Sequence, residues 1–148
     1  MLVRPAEPKD VSRIFDLIKE LALYEKAPEQ VTNTVEILHH DLFVDTICEA
    51  IVAVEKGTVH GFALFYTSYS TWKGRSLYLE DFYVIEDQRK RGIGQLLFDD
   101  VLRIAKERKV ARMDWQVLEW NQLALNFYAK NNAMLDYEWV NGRFIFEL

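Results

Sequence analysis

An α/β (α+β) fold, with a mixed and mostly antiparallel central sheet flanked by helices, is predicted by three features of the sequence. The stretch from Ala50 to Ile85 holds three apolar, β-branched and aromatic runs separated by short turns. Amphipathic spacing of helical period stands on both sides of that block. The chain has 148 residues, 50% of them hydrophobic, enough to bury one real core without staples.

Taken in order, Leu2 to Arg4 reads as a short first strand, and Pro8 suits the start of a helix because its missing N–H does no harm there. Val11, Ile14, Phe15, Ile18, Leu21, Ala22 and Glu25 follow 3, 4 and 7 spacing, and Pro28 closes that helix or lies just beyond it. Asn33 or Thr34 caps a second helix through about Leu42. Ala50–Glu55, Gly61–Tyr69 and Ser76–Ile85 form an antiparallel meander over the Lys56-Gly57-Thr58 and Lys73-Gly74-Arg75 turns. Ile93, Leu97, Val101, Ile104 and Ala105 make one helical stripe. Val110 to Val117 is strand-like, Gln122 to Lys130 a short helix, and Asn131-Asn132 its end. Met134–Val140 and Arg143–Leu148 are expected to close the fold as a hairpin over Asn141-Gly142, a type I′ turn signal. No repeat, low-complexity tract or linker interrupts the chain, so residues 1–148 read as one domain.

Composition narrows the function. The net charge is −5, and residues 1–50 hold 10 acids against 5 bases, so the whole acidic excess sits in the first third. Nucleic-acid binding, which needs a basic stripe, is not expected, and neither is a membrane span. The single cysteine, Cys48, allows no intramolecular disulfide, and with no signal-like N-terminus this points to a cytoplasmic setting. His39, His40 and His60 show no metal-ligand spacing with a carboxylate, so no metal is assigned.

The densest chemical signal is Arg89-Lys90-Arg91-Gly92-Ile93-Gly94, between a strand and a helix. A helix N-terminus attracts anions, glycines let the backbone close on a phosphate, and three basic side chains add attraction, which together make a pyrophosphate cradle. The string lacks the Gly-Lys-Ser/Thr ending of a Walker loop and the third glycine of a dinucleotide fingerprint. An ordinary charged turn is the plainer alternative.

Arg89-x-x-Gly92-x-Gly94 in that context resembles the acetyl-CoA motif of the GNAT N-acetyltransferase superfamily. Ile18-Lys19-Glu20-Leu21-Ala22, Tyr24-Glu25, Glu29-Gln30-Val31, Leu77-Tyr78-Leu79-Glu80-Asp81-Phe82, Glu119-Trp120-Asn121 and Asn126-Phe127-Tyr128 extend the resemblance over residues 2 to 133. In their order and spacing they resemble the spermidine/spermine and thialysine N-acetyltransferase subfamily. Three positions depart from its pattern: Lys90 replaces a small residue, Leu123-Ala124 a Pro-Ser type pair, and Asn132 a glycine.

The resemblance implies an acetyl-CoA-dependent acyltransferase that acetylates a primary amine of a small cationic acceptor, such as a polyamine or lysine-like amine, by direct transfer in a ternary complex. It implies a homodimer. It implies that Phe82, Tyr83, Val84, Arg89, Lys90, Arg91, Gly92, Ile93, Gly94, Gln95, Asn121 and Ala124 hold the cosubstrate. Main-chain groups of Phe82 and Val84 would face the pantetheine arm where Leu79–Val84 splays from its neighbour at a bulge.

It implies Tyr128 as general acid for the departing thiolate; the residues alone equally allow a core tyrosine beside Phe127. It implies Glu80 as the group that binds or deprotonates the amine, its carboxyl raised by apolar neighbours; a carboxylate paired with a lysine or arginine is the alternative. It implies that Tyr24, Glu25, Glu29, Trp72, Glu80 and Asp81 make the acceptor wall, acids and aromatics suited to an alkylammonium chain; for Glu29 alone a solvated surface carboxylate is an equal alternative. Rival functions are acetylation of an amino acid, a protein N-terminus or an aminoglycoside, and non-catalytic acyl-CoA sensing, which would keep Arg89–Gly94 without needing Tyr128.

Overall fold

The computed structural model describes residues 1–148. Five strands, β1 (Leu2–Pro5), β2 (Glu49–Glu55), β3 (Thr58–Ser70), β4 (Gly74–Val84) and β5 (Arg112–Asp114), form one sheet in that order. The helices are α1 (Val11–Tyr24), α2 (Val35–Phe43), α3 (Ile93–Glu107) and α4 (Gln122–Lys130). The first four strands pair antiparallel. β5 pairs parallel to β4, a connection that requires the crossover helix α3 between them. The mixed, mostly antiparallel sheet expected from the sequence is the one observed.

The chain forms two compact units, Met1–Gln116 and Val117–Leu148. In the first, Val11, Ile14 and Leu17 of α1 and Leu38 and Leu42 of α2 bury against Val52, Phe62, Leu64 and Tyr83 on one sheet face. Ile93, Leu97, Phe98, Val101 and Ala105 are the buried stripe of α3, which packs on β3 and β4. Gly61 permits a close approach there: a Cβ would stand 2.8 Å from the Tyr83 carbonyl oxygen and 3.1 Å from Leu97 Cδ1. Gly61→Ala is expected to destabilise the fold by about 1–3 kcal/mol, the cost of overpacking, read from a urea melt.

Local signals explain the element ends. Asp10 is buried, and its carboxylate accepts from both Arg4 guanidinium nitrogens at 2.7 and 3.2 Å and from the Glu7 N–H at 2.8 Å. Pro8 sits in a 3₁₀ turn, Pro8–Asp10, just ahead of α1. Thr34 caps α2, its Oγ1 accepting from the Ile37 N–H at 3.1 Å. α1 stops at Tyr24 because Lys26 turns left-handed (φ 64°) and the Ala27 N–H returns to the Ala22 carbonyl.

In the second unit, Asn121 caps α4, with Oδ1 accepting from the Ala124 N–H at 3.2 Å, and Asn132 at φ 63° ends it. The expected closing hairpin does not form. Met134 to Leu148 carry no strand, and neither Asn141 nor Gly142 takes the positive φ that a type I′ turn needs. Tyr137, Trp139, Phe144, Ile145 and Phe146 are exposed, so the segment buries too little to hold a two-stranded ribbon by itself. No helix is long and apolar enough to cross a membrane.

Candidate active site

The acidic side of the candidate site is built by a bulge in β4. The β3–β4 register pairs Leu64 with Asp81 and Phe65 with Leu79, so Glu80 is the extra residue. Leu79 is buried opposite Phe65, whose ring lies 5.8 Å from the Arg108 guanidinium at the end of α3. The Phe82 ring lies 5.8 Å from Phe98 on α3. Two residues, not one, therefore separate neighbours that share the α3 face. Asp81, opposite Leu64, faces the α1–α2 side, and Glu80 is not forced to the opposite face as regular alternation would require.

The two carboxylates differ. Glu80 is exposed, contrary to the buried position expected of it. Asp81 is half-buried and its carboxyl is pushed up to about 7, first by burial and then by the negative charges of Glu80 and Glu25. The Glu25 carboxyl is itself raised by burial. Across the hairpin, Tyr66 and Tyr78 are register partners with ring centroids 5.4 Å apart. Burial and the Glu80 charge raise both phenols, Tyr78 to about 12, so each keeps its proton at neutral pH. This patch of three carboxylates and two phenols attracts a cation and can accept a proton at Asp81 near pH 7.

Of the acceptor-wall residues, Glu25, Glu80 and Asp81 lie near enough for their charges to interact, and Tyr24 directly precedes Glu25. Glu29 lies on an exposed 3₁₀ turn, Pro28–Gln30. Trp72 is 80% exposed at the tip of the β3–β4 hairpin, where its N–H bonds Ser70 Oγ at 3.2 Å. Seven residues of strand separate Gly74 from Asp81, so Trp72 stands about 20 Å from the carboxylates at roughly 3.3 Å per residue. The fold does not bring it to them.

The glycine turn lies beside the free edge of β4. Pairing with β5 stops at Tyr78↔Asp114, which leaves Leu79–Val84 without a strand partner on that side. Gly92 caps α3 at φ 80°, supplies no side chain to the first-turn N–H groups, and a Cβ there would meet nothing within 4 Å. An open helix N-terminus beside an unpaired strand edge fits an elongated ligand with phosphates at one end. Gly94 backs the turn; a Cβ there would make ordinary contact with Phe82 at 3.5 Å. Ile93, the first residue of α3, is buried in the core, and Gln95 lies in the same first turn.

The three basic side chains of this turn are not equivalent. Arg91 forms a bidentate pair with Glu55 at 3.0 and 3.1 Å and also donates to Gln88. Arg89 donates from Nε to the Val84 carbonyl at 3.1 Å and lies over the rings of Tyr24 and Tyr83, at 5.1 and 5.4 Å. Lys90 is exposed at φ 68°. In the second unit, Tyr128 is buried on α4 beside the Phe127 ring, 5.5 Å away and edge-on, while Asn121 and Ala124 make the helix cap.

Sequence reasoning missed Tyr66 and Tyr78. Their pairing follows from the register set at the Ser70↔Gly74 end of the hairpin, which runs unshifted as far as Phe65↔Leu79. It also missed a cluster at the exposed end of α2, where ligand atoms of His40, Asp41 and Asp45 lie within 4.8 Å of one another.

The sequence profile of the acetyltransferase (GNAT) family matches residues 12–133. The thialysine N-epsilon-acetyltransferase of Bos taurus is 37% identical over 137 residues, which cover 86% of this chain and 81% of that protein. The spermidine/spermine N(1)-acetyltransferase-like protein 1 of Homo sapiens is 35% identical over 141 residues, covering 89% of this chain and 20% of that protein. Among solved structures, the ribosomal-protein-alanine N-acetyltransferase of Brucella melitensis biovar Abortus 2308 superposes with a TM-score of 0.74 at 23% identity, over 97% of this chain and 100% of that one. An aminoglycoside acetyltransferase from an uncultured soil metagenomic sample gives 0.80 at 16% identity, over 99% and 96%. The family match and the relatives that share more than a third of their residues with this chain define an acyltransferase. The chain belongs to the acetyltransferase (GNAT) family and is an N-acetyltransferase.

Proposed function

We propose that the chain is an acetyl-CoA-dependent N-acetyltransferase for a primary amine of a small cationic acceptor, a polyamine or lysine-like amine, with direct transfer in a ternary complex. The observation that carries this reading is the Asp81–Glu80–Glu25 cluster beside two phenols that stay protonated. The thialysine acetyltransferase names of the similar proteins support the same acceptor class.

When bound, acetyl-CoA supplies an activated acetyl thioester. Gly92, Gly94 and the first turn of α3 would hold its phosphates, with Lys90 the exposed cation there, and the free edge of Phe82–Val84 would hold the pantetheine arm. Tyr83 belongs to the core, so its share is the main chain.

An acceptor ammonium has a pKa near 10.4 and must lose a proton before attack. Asp81, with its carboxyl near 7, accepts that proton directly or through water. Glu25 and Glu80 hold the remaining positive charge of the acceptor. Tyr128 donates a proton to the leaving thiolate.

Residues 1–148 act as one domain, a reading supported by a family match that runs across the boundary between the two units. Family resemblance further supports a homodimer, and the single cysteine, Cys48, a reducing, cytoplasmic setting.

Acetyl-CoA and CoA are expected to raise the melting temperature equally, a gain of about 2.7 kcal/mol at a hundredfold excess over Kd. Pantetheine, which has no phosphates, should protect far less; equal protection would remove the role of the Gly92 turn. Glu25→Gln should raise the amine KM a few-fold at low salt, in line with about 0.2–1 kcal/mol for a partly exposed pair, and leave the acetyl-CoA KM unchanged. Glu29→Gln should do less, because Glu29 lies apart on its exposed turn.

A further inference from the structure

We propose that Arg89 is a positioning residue for the acceptor wall: its guanidinium, wedged between the rings of Tyr24 and Tyr83, holds the last turn of α1 so that Glu25 stays beside Asp81. The inference rests on the reading of Glu25 and Asp81 as the acceptor side.

A basic residue in a phosphate-binding turn is expected to point its charge at the phosphate. Arg89 instead turns back into the protein. Its Nε donates to the Val84 carbonyl, and its guanidinium carbon lies over two aromatic rings. Only a guanidinium supplies a flat cation with a donor at that angle; an ammonium does not stack. Tyr83 is anchored independently, buried in the core with its hydroxyl donating to Glu20 at 3.4 Å, and Glu20 pairs with Arg13 at 3.5 Å. Those contacts fix the body of α1. At its end, Arg89 bridges the anchored ring of Tyr83 to Tyr24, the final helical residue. Glu25 follows directly, and Lys26 then leaves the helix in a left-handed conformation. The position of Glu25 depends on the Tyr24 contact.

The test uses Arg89→Lys, Tyr24→Leu, the double variant, and Tyr24→Phe as the conservative control. Arg89→Lys keeps the charge and loses the stack. The amine KM should rise about tenfold, while the acetyl-CoA KM stays within about twofold and kcat within about threefold. The double variant should be no worse than the worse single variant, since both break one contact. Tyr24→Phe keeps the ring under the guanidinium, so its Asp81 titration should stay nearer wild type than that of Tyr24→Leu.

A second readout needs no turnover. In the ligand-free protein, the Asp81 carboxyl followed by carbon NMR should titrate at lower pH in Arg89→Lys and Tyr24→Leu, because the Glu25 charge that raises it moves away. Glu80, the other charge on Asp81, is untouched by these changes. A raised acetyl-CoA KM with an unchanged amine KM would make Arg89 a phosphate ligand and overturn the proposal. An unchanged Asp81 titration in both single variants would overturn it as well. If wild type acetylates no amine, the functional reading falls, and the titration still decides the role of Arg89.

Discussion

Asp81→Asn is expected to lower kcat/KM for the amine at pH 7 by about 10²–10⁴-fold, the range that general base catalysis contributes. The same change should stabilise the protein. In the folded state the carboxyl titrates near 7, against 3.8 for an ordinary aspartate, because burial and the Glu80 and Glu25 charges disfavour the anion. Between about pH 4 and 7 the folded chain therefore binds more protons than the unfolded one, and stability falls as pH rises through that window. Removing the charge should flatten that decline and add about 1–2 kcal/mol at pH 8, less than the full shift of roughly 1.4 kcal/mol per unit because the residue is only half-buried. Below about pH 4 the variant and wild type should be equally stable. Activity lost while stability is gained marks a residue kept for function. Turnover within threefold of wild type, with the acid limb of the pH–rate profile still near 7, would show that Asp81 is not the base.

Tyr128→Phe should lower kcat by about 10²–10⁴-fold with the acetyl-CoA affinity retained. The ring stays, so its edge-on packing beside Phe127 is preserved. A phenol is protonated at neutral pH and can hand its proton to the sulfur as the carbon–sulfur bond breaks. The alkaline limb of the pH profile should shift or vanish with it. An amine turnover within threefold of wild type at saturating substrate, with chemistry rate-limiting, would sink the assignment of Tyr128 as general acid.

Much of the fold was legible in the residues because local signals and tertiary packing agree. The Val11–Leu21 periodicity, the Thr34 cap, the Lys56-Gly57 turn and the Ile93–Ala105 stripe each point to the element they form. The C-terminal hairpin failed for the opposite reason. Asn141-Gly142 is a strong local turn signal, but Phe144, Ile145 and Phe146 find no buried face to reward pairing. For the site, the glycine turn and the acid-rich end of α1 were readable from residue type and order. The choice between Glu80 and Asp81 was not, because it depends on a one-residue bulge that shifts register without changing composition. Sequence gives the charge of Arg89 and not its direction, toward the Val84 carbonyl and the rings of Tyr24 and Tyr83. Trp72 has suitable chemistry and lies at the far end of a long hairpin, a separation that strand length alone decides.

Transfer of acetyl to a small cationic amine is measured by the initial rate of CoA thiol release, with product mass confirmed, across one panel. The panel holds a diamine, spermidine, thialysine, lysine, a neutral amino acid, an aminoglycoside and a peptide with a free N-terminus. The account predicts acetylated product with the highest kcat/KM for the di- and polyamines or the lysine-like amines, and a rate that falls as salt screens the Glu25, Glu80 and Asp81 charges. A preference for the peptide N-terminus, the neutral amino acid or the aminoglycoside, or no thiol release with any amine while acetyl-CoA still binds, would contradict it.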